Sequence, residues 1–165
     1  MSESCFDLAV NWLLGPDIEG EHSNDSADKG GDTWYGLARR WNQDMPWPPT
    51  REQAIARYRE RYWDACRCSE LPPRLAAMVF DAAVQHAPRD AIRFLQRTLG
   101  VGIDGYIGPQ TLAKAQQADA AALADFLSYR AKYYTQLCLD DESQLRFARG
   151  WHRRLFLLQR FALSL

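Results

Sequence analysis

Apolar residues recur every three to four positions along most of the chain, and almost nowhere at every second position, so the pattern predicts helices. Phe6, Ala9, Val10, Leu13 and Leu14 share one helical face, with Ser2 or Ser4 able to cap its start and Gly15-Pro16 stopping it. A polar, Gly-rich stretch follows from Asp17 to Asp32, with few side chains to bury, and a short helix is predicted near Tyr35 to Asn42. Met45-Pro46-Trp47-Pro48-Pro49 reads as a turn. Thr50-Arg51-Glu52-Gln53 is a capping box opening a helix to about Cys66, with Ile55, Tyr58 and Tyr62 on one stripe. Pro72-Pro73 opens a helix over about Arg74 to His86 that is apolar nearly all round, and so is expected to be buried. Pro88 starts the next, which ends at Gly100. A turning segment, Val101 to Gly108, precedes a short helix beginning at Pro109. Asp119 caps a long helix to about Leu139. Asp140-Asp141-Glu142-Ser143 breaks it, and a last helix runs through Leu145, Trp151, Leu158 and Phe161. The fold class is therefore all-α, with room for a short β-hairpin in the polar stretch after Glu19.

The chain's 165 residues suffice for one domain with a real core. A formal net charge of -1 gives no global field for nucleic acid, and none is expected as a partner. The near-neutral total hides an asymmetry: acids dominate between Glu3 and Asp32, whereas every charged side chain from Arg146 to Arg160 is arginine. The bland reading of that last helix is a solvated face over an apolar stripe. The sharper one is contact with an anionic envelope. No apolar run approaches membrane-spanning length, and the N-terminus lacks the basic start of a signal peptide, so synthesis and folding in the cytoplasm are expected. In that compartment Cys5, Cys66, Cys68 and Cys138 are expected as free thiols, since Cys66-x-Cys68 has no zinc-site spacing, with one disulfide as the alternative in the periplasm.

The polar stretch carries the chemistry. Glu19 follows an apolar helix and Ile18, so its base is expected to be partly desolvated. Burial raises a carboxyl pKa and keeps a proton at hand near neutral pH. Glycoside cleavage needs such an acid to protonate the departing sugar oxygen, and a second group across the ring to hold a water or attack the anomeric carbon. Asp28, nine residues on, is positioned to turn back across a cleft, and the Thr33 hydroxyl to help hold a water. Each has a structural alternative: Asp28 as a brace for the Gly30-Gly31 turn, Thr33 as a helix cap. Glu21 and His22 read as cleft-lip or sugar-contacting residues, and Tyr35 as a sugar-stacking aromatic beside the acid. Adjacent Glu21 and His22 do not make a metal pair, so no metal and no cofactor is expected.

The order Glu19, Asp28, Thr33 resembles that of phage-type lysozymes, with one residue fewer between Asp28 and Thr33. The whole segment resembles glycoside hydrolase family 108, whose signature is a Glu-Gly-Gly-Tyr start, an Asn-Asp pair, and a Gly-Gly turn leading to Thr and Tyr-Gly. Glu19-Gly20, Asn24-Asp25, Ala27-Asp28, Gly30-Gly31, Thr33 and Tyr35-Gly36 match, whereas Glu21 and His22 stand where the family has Gly and Tyr. Further matches, Phe80-Asp81-Ala82-Ala83-Val84, Asp104-Gly105-Tyr106-Ile107-Gly108-Pro109 and Gly150-Trp151-His152, resemble the family's C-terminal half, a peptidoglycan-binding region. In that region Asp104 is a candidate substrate contact as well as a turn residue.

The resemblance implies a lysozyme-like single domain, with a catalytic lobe over 1–85 and a peptidoglycan-binding-like helical lobe over 86–165. It implies hydrolysis of the β-1,4 bond between N-acetylmuramic acid and N-acetylglucosamine, with Glu19, Asp28 and Thr33 catalytic and Glu21, His22, Tyr35 and Asp104 touching substrate. The expected partner is bacterial peptidoglycan and the expected state a monomer, acting in the periplasm as a phage or prophage endolysin. A secreted antibacterial effector, or a peptidoglycan-binding protein that does not cut, is the alternative.

Overall fold

A computed structural model describes residues 4–25 and 31–165, with the backbone alone for residues 24 and 25. The chain forms two compact units, residues 1–61 and 62–165.

The first unit opens with α1, Cys5–Leu13. Its start is fixed reciprocally: the Ser4 hydroxyl accepts from the Asp7 amide, and the Asp7 carboxylate accepts from the Ser4 amide. Phe6, Ala9, Val10 and Leu13 are buried, as the periodicity predicts. Two strands follow, β1 (His22–Asp25) and β2 (Gly31–Trp34), antiparallel with His22 opposite Trp34. The expected hairpin is thus present, and it gains a third strand, β3 (Leu37–Ala38), beside β2.

The helix predicted near Tyr35 to Asn42 does not form over that range. Tyr35 and Gly36 have φ of 51° and 75° and make a two-residue turn between paired Trp34 and Leu37. Consecutive positive φ values suit the right-handed twist of a tight hairpin and exclude a helix start. Only Arg39–Trp41 coils, as one 3₁₀ turn. α2, Arg51–Tyr58, has the expected capping box at Thr50 and Gln53 and continues as a wider π-helical segment, Arg59–Asp64.

In the second unit α3 (Pro73–His86) is buried at every position from Leu75 to Ala83. It packs against α4 (Pro88–Leu99) and α7 (Leu145–Leu163), and α6 (Ala120–Asp140) packs against α4 and α7. The short α5 spans Pro109–Ala115. The punctuation works as the sequence suggests: Gly100 ends α4 in the left-handed region, and the Asp119 carboxylate caps α6 at the Ala122 amide.

One charge lies in the middle of α3. Asp81 is fully buried and accepts from Arg130 Nη1 at 2.7 Å and from Arg154 Nε at 2.9 Å. Burial pushes this carboxyl up, but Arg154 and Arg130 outweigh it and the group ends below its ordinary range. Arg130 also donates to the Tyr134 hydroxyl and to His86 Nε2, both at 3.3 Å. Arg154 is therefore turned inward, so the arginines of the last helix do not all belong to a solvated face. The cluster ties α3, α6 and α7 at one point, and removing one member of such a buried set typically costs about 3–5 kcal/mol.

Candidate active site

The site is built in the first unit, at the exit of α1. The chain turns at Gly15-Pro16, and the Ile18 and Gly20 amides both donate to the Gly15 carbonyl at 3.1 Å, while the Glu19 amide donates back to Leu13 at 3.2 Å. This locks the backbone around Glu19 to the end of the helix. The Glu19 side chain is half-buried, in line with the desolvation expected from its position after an apolar helix.

What it packs against was not legible in the motif. A β-carbon on Gly36 would lie 2.8 Å from both Cγ and Oε2 of Glu19, and 2.6 Å from the Tyr58 hydroxyl. The acid and the tyrosine therefore crowd a single point on the hairpin turn, one that only a residue without a side chain leaves open. Tyr58 is fully buried, and its hydroxyl donates to the Tyr35 carbonyl at 2.8 Å. The Tyr35 amide donates to the Glu21 carbonyl at 2.7 Å. The positive-φ turn is thus held from both sides, which is how an unfavourable conformation of a bulky residue persists.

The other predicted residues are distributed as follows. Thr33 lies on β2, opposite Ser23 and Ala38, and its hydroxyl donates to the Gly31 carbonyl at 3.0 Å. Its proton is committed, and its lone pairs remain available to accept. Glu21 and His22 are exposed at the start of β1. Asp28 lies outside the described residues. Asp104 belongs to the second unit, where its carboxylate accepts from Gln96 Nε2 at 2.7 Å and from the Tyr106 amide at 2.9 Å. The Gln96 bond first, then the amide, hold that carboxyl below its ordinary range. With Gly105 at φ 80°, this is the geometry of a braced turn.

The sequence reading passed over Asp32 and its partner Trp47. Alternation along the strands puts Asp32 and Trp34 on one face of the sheet and Thr33 on the other. Asp32 accepts from Trp47 Nε1 at 2.7 Å and lies 3.1 Å from His22 Nε2. The Trp47 bond above all, aided by His22 against a smaller desolvation effect, keeps this carboxyl below its usual range. The His22 ring lies tilted against Trp34, with centroids 4.3 Å apart. One carboxylate therefore joins β1, β2 and the proline-rich turn. A signal existed in the sequence: Asp32 is a charge between a Gly-Gly pair and an aromatic pair.

The arrangement offers a half-buried carboxyl on a rigid turn, a hydroxyl acceptor on the neighbouring strand, and aromatic faces nearby. Those are the elements of an acid-catalysed hydrolase of a carbohydrate. Comparison with known proteins agrees. The family model for glycosyl hydrolase 108 matches residues 16–87, and that for a predicted peptidoglycan domain matches residues 90–156. No curated protein matches the chain. Among solved structures, that of Brucella abortus SagA is similar, with 26% identity over 88% of this chain and 87% of that one, and a TM-score of 0.76. Residues 16–87, the segment that carries Glu19, Gly36 and Tyr58, form a glycosyl hydrolase 108 region, and residues 90–156 match a predicted peptidoglycan domain.

Proposed function

We propose that this peptidoglycan hydrolase is a muramidase that cleaves the β-1,4 bond between N-acetylmuramic acid and N-acetylglucosamine. The observation that carries the reading is the half-buried Glu19 carboxyl, packed at the Gly36 turn within the segment that matches the hydrolase family. In the proposed reaction Glu19 gives its proton to the leaving glycosidic oxygen. A water on the opposite face of the sugar donates one hydrogen to the Thr33 hydroxyl oxygen and the other to the Asp28 carboxylate, which takes that proton as the water attacks the anomeric carbon. The configuration inverts. A separation of about 6.5–9.5 Å between the Glu19 and Asp28 carboxyls accords with this course, and about 5–5.5 Å with a covalent one.

The test is Glu19→Gln, which keeps the shape of the side chain and removes the proton. Release of reducing ends from purified sacculi should fall at least 100-fold with the urea unfolding curve unchanged. Residual activity within a few-fold of the wild type refutes the assignment of the acid, and release of free amino groups in place of reducing ends refutes the bond. The setting we propose is that of a phage or prophage endolysin, made in the cytoplasm and admitted to the wall by a holin. In the same reading the exposed stripe of α7, Arg146, Arg149, Arg153, Phe156, Arg160 and Leu163, rests on the anionic envelope.

A further inference from the structure

The second unit commits several polar groups to holding one exposed ring. Gln96 is buried, and both ends of its side-chain amide go to a single turn. Its Nε2 donates to Asp104 Oδ1 at 2.7 Å and to the Tyr106 carbonyl at 2.9 Å, and its Oε1 accepts from the Gly105 amide at 2.9 Å. The Tyr106 amide donates to Asp104 Oδ1 at 2.9 Å, and Arg67 Nη1 donates to the Ile107 carbonyl at 2.6 Å. A β-carbon on Gly105 would lie 2.7 Å from Cγ of Arg89, so that side chain runs close against the turn. Its guanidinium then sits over the Tyr106 ring, 5.3 Å from the centre, within cation–π range.

Gly105 and Ile107 are buried, yet Tyr106 between them is 65% exposed. Core packing does not account for such a ring. A single exposed aromatic is ordinary on a protein surface. This one is held at its amide, at its carbonyl and on both flanking residues, and a guanidinium braces one face. The contact is therefore preorganised: its ordering cost falls on folding and not on binding. Tyrosine suits that use, since it offers a broad, stiff, amphipathic surface.

The chemistry beside the ring narrows the ligand. Both bonds that tie the Asp104 carboxylate to the turn fall on Oδ1, and Oδ2 takes part in neither. An ionised carboxylate only accepts. An apolar plane bordered by an acceptor fits a ring with C–H bonds on its face and donors at its rim. An N-acetylated sugar is such a ring: its C–H bonds meet the negative face of the tyrosine, and its hydroxyl and amide hydrogens lie at the edge. A carboxylate of the peptide stem brings an acceptor where Asp104 already supplies one. We propose that Tyr106 and Asp104 form a glycan-binding subsite in the second unit, with the ring stacked on an N-acetylated sugar and Asp104 Oδ2 accepting from its amide or hydroxyl. The inference rests on peptidoglycan as the partner of residues 90–156, and not on which bond the first unit cleaves.

The experiment titrates the full chain with the tetramer of N-acetylglucosamine and follows backbone amides by NMR, so that the Gly105 signal reports this subsite by itself. The sugar should shift it, and the free tetrapeptide stem should not. Tyr106→Phe keeps the ring and should bind within about twofold of the wild type, whereas Tyr106→Ala should bind about fivefold more weakly or worse. Asp104→Asn keeps a carbonyl for the two bonds to the turn and puts a donor in place of Oδ2, so it should weaken binding about threefold or more. Both positions are exposed, so urea midpoints should change little. A Gly105 amide that ignores the sugar, an unchanged affinity in Tyr106→Ala, or tetrapeptide shifts as large as those of the sugar overturn the inference. Glu19→Gln should leave the Gly105 titration as in the wild type. Failure of the muramidase reading shows in reducing ends, and failure of the subsite shows in this signal.

Discussion

Gly36→Ala is the sharpest perturbation of the site, because one methyl group meets three constraints at once. The first is backbone. At φ 75° an L-residue pays about 1–2 kcal/mol that glycine does not. The second is Tyr58, whose hydroxyl would be 2.6 Å from the new carbon and must move. It is buried and bound to the Tyr35 carbonyl, so displacing it costs a further 1–3 kcal/mol or so. The third is Glu19, with two atoms at 2.8 Å. A half-buried glutamate is the easiest of the three to shift, so it should absorb much of the strain by rotating. The expected result is a loss of about 2–5 kcal/mol in urea unfolding. The activity loss is out of proportion, about 100-fold in kcat, since a displacement of about 1 Å in a catalytic group suffices for that. The assay pairs the unfolding curve with reducing-end release at a temperature where the variant is fully folded. Wild-type kcat in a folded Gly36→Ala would refute the argument that this turn positions the acid.

Two further outcomes follow from the second unit. Burial first, then the neighbouring Arg130, lower the His86 pKa from 6.5 to about 3. Between those values the unfolded chain takes up a proton that the folded chain does not, so the contribution is complete above pH 6.5 and drains as pH falls, reaching about 2 kcal/mol of lost stability at pH 5. Asp81, also depressed, continues the loss below the ordinary carboxylate range. Urea midpoints at pH 7 and pH 5 should differ accordingly in the wild type and much less in His86→Gln; identical midpoints in the wild type would sink the assignment. On α7, Arg149 and Arg160 are exposed, and each basic residue near an anionic membrane is worth about 1 kcal/mol. Arg149→Gln/Arg160→Gln should therefore bind vesicles containing phosphatidylglycerol about 30-fold more weakly, and equal binding of the wild type to neutral vesicles would exclude an electrostatic contact.

Most helix ends were legible because single residues set them. Ser4 and Thr50 complete capping boxes, Pro88 and Gly100 bracket α4, and Asp119 closes the start of α6. The sheet was legible only as a hairpin in a polar loop. β1 reads His-Ser-Asn-Asp and has no apolar face to alternate, so nothing in its composition announces a strand. It is held by pairing and by Asp32, whose partners come from β1 and from Trp47, fifteen residues away. The helix expected from Tyr35 failed for a related reason. Tyr35-Gly36 has reasonable helical neighbours in sequence, but the turn it makes is imposed by Tyr58, 23 residues downstream of Tyr35. Asp81 shows the same limit in the other unit: a charge in an apolar helix signals a buried partner, yet Arg130 and Arg154 stand 49 and 73 residues away.

These cases share a physical logic that bears on the chemistry. The residues of the motif lie close together in sequence, so local spacing can nominate Glu19 as the acid and propose a water-holding pair. The strain that fixes the acid is not local. Two consecutive residues at positive φ are unfavourable on their own, and they persist because the Glu21 carbonyl takes one end of Tyr35 and the Tyr58 hydroxyl the other. The shape of the turn is therefore a property of α2 as much as of the hairpin, since Tyr58 is the last residue of that helix. In the proposed reaction Glu19 donates a proton in one direction, and such an acid needs a wall that cannot relax. Here the wall is a glycine turn clamped by a buried tyrosine, which explains why Gly36 admits no side chain at the one point where Glu19 and Tyr58 converge.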